Sequence, residues 1–365
     1  MRLLIVDEEI IAGGVDTLRR QLIPELAKLL DLIVWVLPLH AADQFRDLAK
    51  TNIIIETLNS PAGLARIKEG VTRRLGGIPR SLIDERLRYL SRRHNCHVCM
   101  TTCAFGQDIP DINLPIVAWV SDVNPALPGQ ILSNIQNWIE QSAATFAISD
   151  FTCSELKNLK PDCSQKIFSI PHAPPAEIHP SNGIPGAFYY PAAPNKHKGH
   201  QTLLQAANAL AARGLKFHLT LTGAGMNHDA VYCGNIRKKI GSVTLAGDLP
   251  PSEVNRHFAE TSCVVLPSHY EGFGLPLVEA LSHGKPVICS DIPPFREQIK
   301  RYECQQMSTF FPTGDARSLE DAMATHLSGN QRLVFTAEDL TARLKRWTWA
   351  DAARRCKALL ETLHA

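Results

Sequence analysis

The sequence predicts two α/β domains in series, each a parallel sheet with helices on both faces, meeting across a cleft. Three observations predict it. The chain has 365 residues, about two domains at ~150 residues each. Short apolar runs of strand length alternate with helical patterns, the mark of parallel sheets. The alternation stops over Ile170 to Pro185 (IPHAPPAEIHPSNGIP), with five prolines and one glycine, and then restarts. Such a stretch reads as a linker. The expected bounds are 1–175 for the first domain, 176–186 for the linker, 187–345 for the second domain and 346–365 for a C-terminal helix. A cleft between domains favours a ligand site.

In the first half, Arg2 to Val6 (RLLIV) reads as a strand, followed by Gly13-Gly14 and a helical pattern from Asp16 to Leu30. Leu32 to Leu37 and Thr51 to Ile55 read as buried strands, Leu82 to Arg93 as a helix, Ile116 to Val120 and Ala144 to Ile148 as strands, and Asp150 to Leu159 as a helix. Beyond the linker, Ala187 to Tyr190, Lys216 to Leu221, Val243 to Leu245 and Cys263 to Leu266 read as strands. Gln201 to Ala212 and Glu253 to Ala259 read as helices. The end, Leu340 to Leu363, is helical with a break near Trp347 and Trp349.

The composition excludes several classes. The 38 basic and 36 acidic residues leave a net charge of +2, which is no global nucleic-acid signature. Hydrophobic residues at 45% argue against disorder. No apolar run approaches the ~20 residues of a membrane-spanning helix, and Asp7, Glu8 and Glu9 follow the first apolar run at once, unlike a signal peptide. A cytosolic location is expected. The ten cysteines read as free thiols. Cys96-His97-Val98-Cys99 with Cys103 has the density of a zinc site, but a second ligand pair is missing, and its apolar character suits a buried strand.

The segment Cys263 to Gln298 carries the chemistry. A strand ends at Pro267. A loop with Glu271, Gly272, Phe273 and Gly274 leads through Leu275 into a helix that has Pro276 in its first turn and Gly284 at its cap. The glycines let backbone approach a ligand closely, and the helix N-terminus favours an anion. A carboxylate beside a phosphate repels it, so Glu271 and Glu279 are better used as acceptors for hydroxyl groups.

This segment resembles the nucleotide-sugar site of the retaining family 4 glycosyltransferases (glycosyltransferase group 1), which have the GT-B fold of two Rossmann-like domains. Glu271 and Glu279 have the family's E-x7-E spacing, and EGFGLPLVEAL and GKPVICSD fit it almost position by position. Tyr190 to His200 (YPAAPNKHKGH) resembles the opening of the second domain, closest to mannosyltransferase-like members. Gly13-Gly14 resembles the first-domain glycine loop, Ala147 to Glu155 the family's "vSxft" segment, and Trp347 to Ala352 its closing helix region. The C-terminal helix is then expected to pack back on the first domain.

The resemblance implies transfer of a sugar from a nucleotide diphosphate donor, GDP-mannose being favoured, to a saccharide or lipid-linked acceptor, with retention at the anomeric carbon. It implies that Lys198 contacts the donor diphosphate, Glu271 the sugar hydroxyls and Glu279 the ribose. The chain departs from the family at Ala193, where many members carry arginine, and at Ser121-Asp122, where many have His-Asp. Lys196 is a candidate for the second positive charge, and Asp122 for a catalytic role. There is no D-x-D motif. Lys198 and the Gly272 to Gly274 helix end can balance leaving phosphate charge without a metal, and the family implies the same.

Arg66 to Arg93 holds nine basic and three acidic residues, a candidate for peripheral contact with an anionic membrane or simply a solvated face. Nucleic acid is not expected there, as Tyr89 is its one aromatic residue. The alternative reading is a non-catalytic nucleotide-sugar-binding protein that supports another transferase.

Overall fold

The computed structural model describes residues 1–8, 14–58, 79–125, 127–226, 242–329 and 335–364. The chain divides into two compact units: Met1–His172 with Trp349–Ala365, and Ala173–Thr348.

The first unit is a seven-stranded sheet. Its strands are β1 (Arg2–Val6), β2 (Leu32–Leu37), β3 (Ile53–Thr57), β4 (Val98–Thr101), β5 (Ile116–Val120), β6 (Ala144–Ala147) and β7 (Ile167–Ser169). They lie in the order β3-β2-β1-β4-β5-β6-β7, all parallel. A sheet covered on both faces needs runs of apolar residues rather than alternation, and β1 and β2 are buried over nearly their whole length. On one face Leu4, Val6, Val34, Val36 and Cys99 pack with Leu87 and Leu90 of the helix Arg80–Arg93. The Cys96–Cys103 cluster is thus strand β4 and its flanks, and burial pushes the Cys96 thiol up to about 11. The C-terminal helix Trp349–His364 belongs to this unit, packing on the helix Gly14–Ala27 and on β4. His364 stacks on His97 at 4.1 Å.

The second unit is a six-stranded parallel sheet of β8 (Ala187–Pro191), β9 (His218–Thr222), β10 (Val243–Gly247), β11 (Cys263–Leu266), β12 (Val287–Ser290) and β13 (Ser308–Phe311). The order is β10-β9-β8-β11-β12-β13. The chain steps outward from β8 to β10, then returns to the other side of β8 with β11. That reversal makes a topological switch point between β8 and β11, where α/β sheets bind ligands beyond the carboxyl ends of their strands.

The expected linker runs along the second unit and is bonded to it. Ser181 and Ile184 donate their amides to His283 and Glu260 carbonyls, and the buried Lys285 ammonium donates to Ser181 O at 2.7 Å and Ala259 O at 2.8 Å. Burial without a counter-charge lowers Lys285 to about 8.

Several elements lie outside the sequence expectation. The helices Gly129–Gln141, Pro293–Arg301 and Ala316–Ser328 and the short strands β7 and β13 are present. Pro293-Pro294 has the look of a turn, yet proline suits the first turn of a helix. Ala316–Ser328 is set by Asp315, whose carboxylate accepts from the Arg317 and Ser318 amides, an N-cap.

Candidate functional site

The switch point of the second unit brings together Lys198 and Glu271. Lys198 lies in the loop after β8, and Glu271 in the loop after β11. The Lys198 ammonium is 2.8 Å from each Glu271 carboxylate oxygen. The pair is partly open, with side chains 21% and 11% exposed. Ser268 donates to Glu271 Oε1 at 2.8 Å, and Tyr190 donates to the Lys198 carbonyl at 2.6 Å. The two loops are also joined through the backbone, His269 N–H to His197 O at 2.7 Å.

Glycine is required twice. Gly199 has φ +67°, and a Cβ there would lie 2.0 Å from the Pro267 carbonyl oxygen. Gly274 has φ +91°, and a Cβ there would lie 2.7 Å from the Phe295 ring. The first lets the two loops touch, and the second starts the helix Leu275–Ser282 with a left-handed residue.

At that helix start, Pro276 has no N–H, and the Leu277 amide is spent on Gly274 O at 3.0 Å. Among the described residues no hydrogen bond engages the Leu275 amide, and Leu275 is partly exposed, whereas Gly272, Phe273 and Gly274 are buried. A cation, a backbone amide and a helix N-terminus together suit an anion.

Glu279 falls in the second turn of this helix. Among the described residues no hydrogen bond engages its carboxylate. Burial raises it to about 7, and it adds to the effect of burial on the nearby Tyr189, pushed up to about 12. Lys196 is exposed, two residues before Lys198 in the same short turn. His200 heads the next helix and donates Nε2–H to Ala192 O at 3.1 Å, holding the start of the Lys198 loop. Burial lowers its pKa to about 4, so it is neutral.

Asp122 and Gly14 belong to the first unit. Asp122 follows β5 and accepts the Asn124 amide at 3.3 Å, which makes a turn. Gly14 opens the helix Gly14–Ala27 and is exposed. Gly13 and residues 66–78 of the basic stretch lie outside the described residues. In the described part of that stretch, Arg80 pairs with Glu8 and Asp84, Arg86 and Arg93 with Glu56, and Arg88 with Asp111. Arg92 is the arginine of this helix with no ion pair among the described residues.

Sequence reasoning does not single out Ser268 or Tyr190. Ser268 stands three residues before Glu271, a spacing at which a loop hydroxyl reaches a carboxylate, but the same pattern is common in solvated turns. Tyr190 reads as a strand residue, and only the sheet shows that its hydroxyl ends between the two loops.

The fold defines a GT-B-type scaffold, two Rossmann-like parallel-sheet units in one chain. The whole chain superposes on sucrose-phosphate synthase from Thermosynechococcus elongatus with a TM-score of 0.74 at 17% identity, covering 99% of this chain and 98% of that one. At that identity the likeness is one of fold. More particularly, residues 177–342, a span within the second unit, match the family described as glycosyl transferases group 1. Relatives at modest identity include mannosyltransferases. O-antigen chain mannosyltransferase B of Escherichia coli is 28% identical over 167 residues, 42% of this chain and 40% of that protein. Serotype-specific mannosyltransferase WbdA of Escherichia coli is 32% identical over 136 residues, 35% of this chain and 16% of that protein. The matches span well under half the length of these relatives.

Proposed function

We propose that the protein is a retaining glycosyltransferase that moves a sugar, mannose from GDP-mannose being favoured, to a saccharide or lipid-linked acceptor. The observation that carries it is the partly open Lys198–Glu271 pair at the switch point, at the head of the helix Leu275–Ser282. In this reading Lys198 leaves Glu271 for the donor diphosphate, helped by the N-terminus of the helix Leu275–Ser282 and its Leu275 amide. Departing phosphate charge is then met by groups fixed in advance, which is where electrostatic catalysis acts. Glu271, released from Lys198, accepts hydrogen bonds from the sugar hydroxyls. Glu279 holds the ribose, and its raised carboxyl ionises as the hydroxyls replace apolar surroundings. Lys196 adds positive charge beside Lys198, and the family resemblance assigns Gly13, Gly14 and Asp122 to the donor as well. Lys198 and the helix N-terminus supply the charge that a metal would, so activity is expected to survive EDTA.

The mannose preference is supported by the names of the relatives and by the YPAAPNKHKGH segment. Among the described residues no helix is long and apolar enough to cross a membrane. A cytosolic enzyme that meets a lipid-linked acceptor at the membrane surface fits this, although the pairing of Arg80, Arg86, Arg88 and Arg93 leaves little free charge on that helix.

The test is turnover of GDP-mannose with a panel of saccharide acceptors, reading product anomer by NMR. A Glu271→Ala variant is expected to lose about 10²–10³-fold in kcat while binding the nucleoside diphosphate as the wild type does. Unchanged turnover would remove Glu271 from the reaction.

A further inference from the structure

We propose that Ser268 is a positioning residue with two stations, Glu271 and Tyr190, and that the second station lets Glu271 leave for the donor; this rests on the reading of Glu271 given above. Four oxygens stand in a row: Lys198 O, Tyr190 Oη, Ser268 Oγ and Glu271 Oε1. The three gaps are 2.6, 3.2 and 2.8 Å. Both ends, a carbonyl and a carboxylate, only accept. The two hydroxyls between them supply two hydrogens for three gaps. Hydroxyl bonds run to about 3.0 Å, so the two short gaps hold the hydrogens and the middle one is empty. Tyr190 donates to Lys198 O, and Ser268 donates to Glu271.

Ser268 is fully buried and Tyr190 is 1% exposed. When Glu271 turns to a sugar, the Ser268 hydrogen would be stranded away from water, which is costly for a buried donor. Tyr190 Oη is already 3.2 Å away. A rotation of the Ser268 hydroxyl fills the middle gap and leaves no hydrogen stranded. Ser268 therefore holds Glu271 against Lys198 while the site is empty and lets it go without loss when the donor arrives. Tyr190 serves both loops, since it also bonds the carbonyl of Lys198.

A double-mutant cycle tests this, because coupled neighbours depart from additivity. In Tyr190→Phe the Ser268 hydrogen has no second station, so kcat with GDP-mannose is expected to fall about tenfold, an illustrative change equal to ~1.4 kcal/mol. Tyr190 also bonds the Lys198 carbonyl, so affinity for GDP alone is read beside kcat: an affinity that falls as far as kcat would report a displaced Lys198 loop and overturn the two-station role. Adding Ser268→Ala removes the hydrogen that would be stranded. The double variant is expected to recover at least about threefold of the lost kcat, a rescue that a purely structural role would not give. A double variant as slow as Tyr190→Phe, or slower, would overturn the proposal.

Should Tyr190→Phe fail to fold, Ser268→Ala alone decides. Without the Ser268 hydroxyl Glu271 is no longer held against Lys198, so Ser268→Ala is expected to bind GDP about two- to threefold more tightly than the wild type and Ser268→Thr, which keeps a hydroxyl, to bind as the wild type does; GDP binding by Ser268→Ala that is unchanged or weaker would overturn the proposal. Glu271→Ala in the turnover assay separates the two levels. If it keeps full kcat, the reading of Glu271 fails and this inference with it. If it loses kcat but the cycle is additive, only the two-station role fails.

Discussion

In the first unit, the ends of β1 and β4 flank a crevice that Asp7 and Arg19 fill; in the second, the ends of β8 and β11 flank one that Lys198 and Glu271 occupy. The two crevices are the same topological position in two sheets of like order. Asp7 and Arg19 stand 3.2 Å apart, and both are 0% exposed. Asp7 also accepts from the Trp35 indole at 3.0 Å and from the Thr102 amide and hydroxyl at 2.9 Å. Its acceptor sites are used up, and no ligand can reach it. Lys198 and Glu271 have 21% and 11% of their side chains open and are held at one side only. A carboxylate and a cation at a switch point are therefore not a functional signal by themselves. What distinguishes a site is exposure and unspent hydrogen-bonding capacity.

The largest effect expected from this contrast is on stability. Breaking a buried ion pair by removing one partner costs about 3–5 kcal/mol, so Asp7→Ala should lower unfolding free energy by that amount in urea titration. Nucleotide binding by the folded fraction should be kept. If Asp7→Ala melts like the wild type, the sealed pair is not what braces the first crevice.

Next is Lys198→Ala, which should weaken nucleoside diphosphate binding about 10²-fold, ~2.7 kcal/mol, while changing stability by less than about 1 kcal/mol, as for a partly exposed pair. Calorimetry beside thermal melting separates the two.

Glu279 comes third. Its folded carboxyl lies near 7 against an ordinary 4.5. The folded state thus keeps a proton that the unfolded chain loses across that window, and stability falls as pH rises from about 4.5 to 7. Glu279→Gln removes this penalty and should raise stability at pH 8 by on the order of 1–3 kcal/mol, while weakening nucleotide binding. In the wild type, nucleotide affinity should rise from pH 6 to pH 8. A flat profile with an unaltered variant would take Glu279 out of the ribose site. The smallest effect belongs to Arg92→Gln, a surface change expected within about 0.5 kcal/mol of neutral in melting, with binding to anionic vesicles reduced by no more than about 1 kcal/mol.

The sheet strands were legible in the sequence where they are buried on both faces. RLLIV and LIVWVL have no other stable use, while β7 and β13, three and four residues long, offer too short a run to stand out. The helix Pro293–Arg301 hides behind two prolines that look like a turn. Glu271, Glu279 and Lys198 were legible through the family resemblance of EGFGLPLVEAL and YPAAPNKHKGH, with the glycine loop and helix start as local support. Tyr190 and Ser268 were not, because their meeting depends on β8 pairing with β11 across a long stretch of chain. The contrast between Asp7 and Glu271 was equally hidden, since exposure is a property of the packed sheet. In the basic stretch, composition overstated the free charge: Glu56, Glu8 and Asp111, distant in sequence, neutralise most of the helix Arg80–Arg93.

The most direct measurement is calorimetric titration of the purified wild type and Lys198→Ala with GDP, UDP and ADP in EDTA. The account predicts that one nucleotide, GDP by preference, binds the wild type without metal and that Lys198→Ala loses most of that affinity. Binding to none of the three, or binding untouched by Lys198→Ala, would contradict the assignment of the switch point as the donor site.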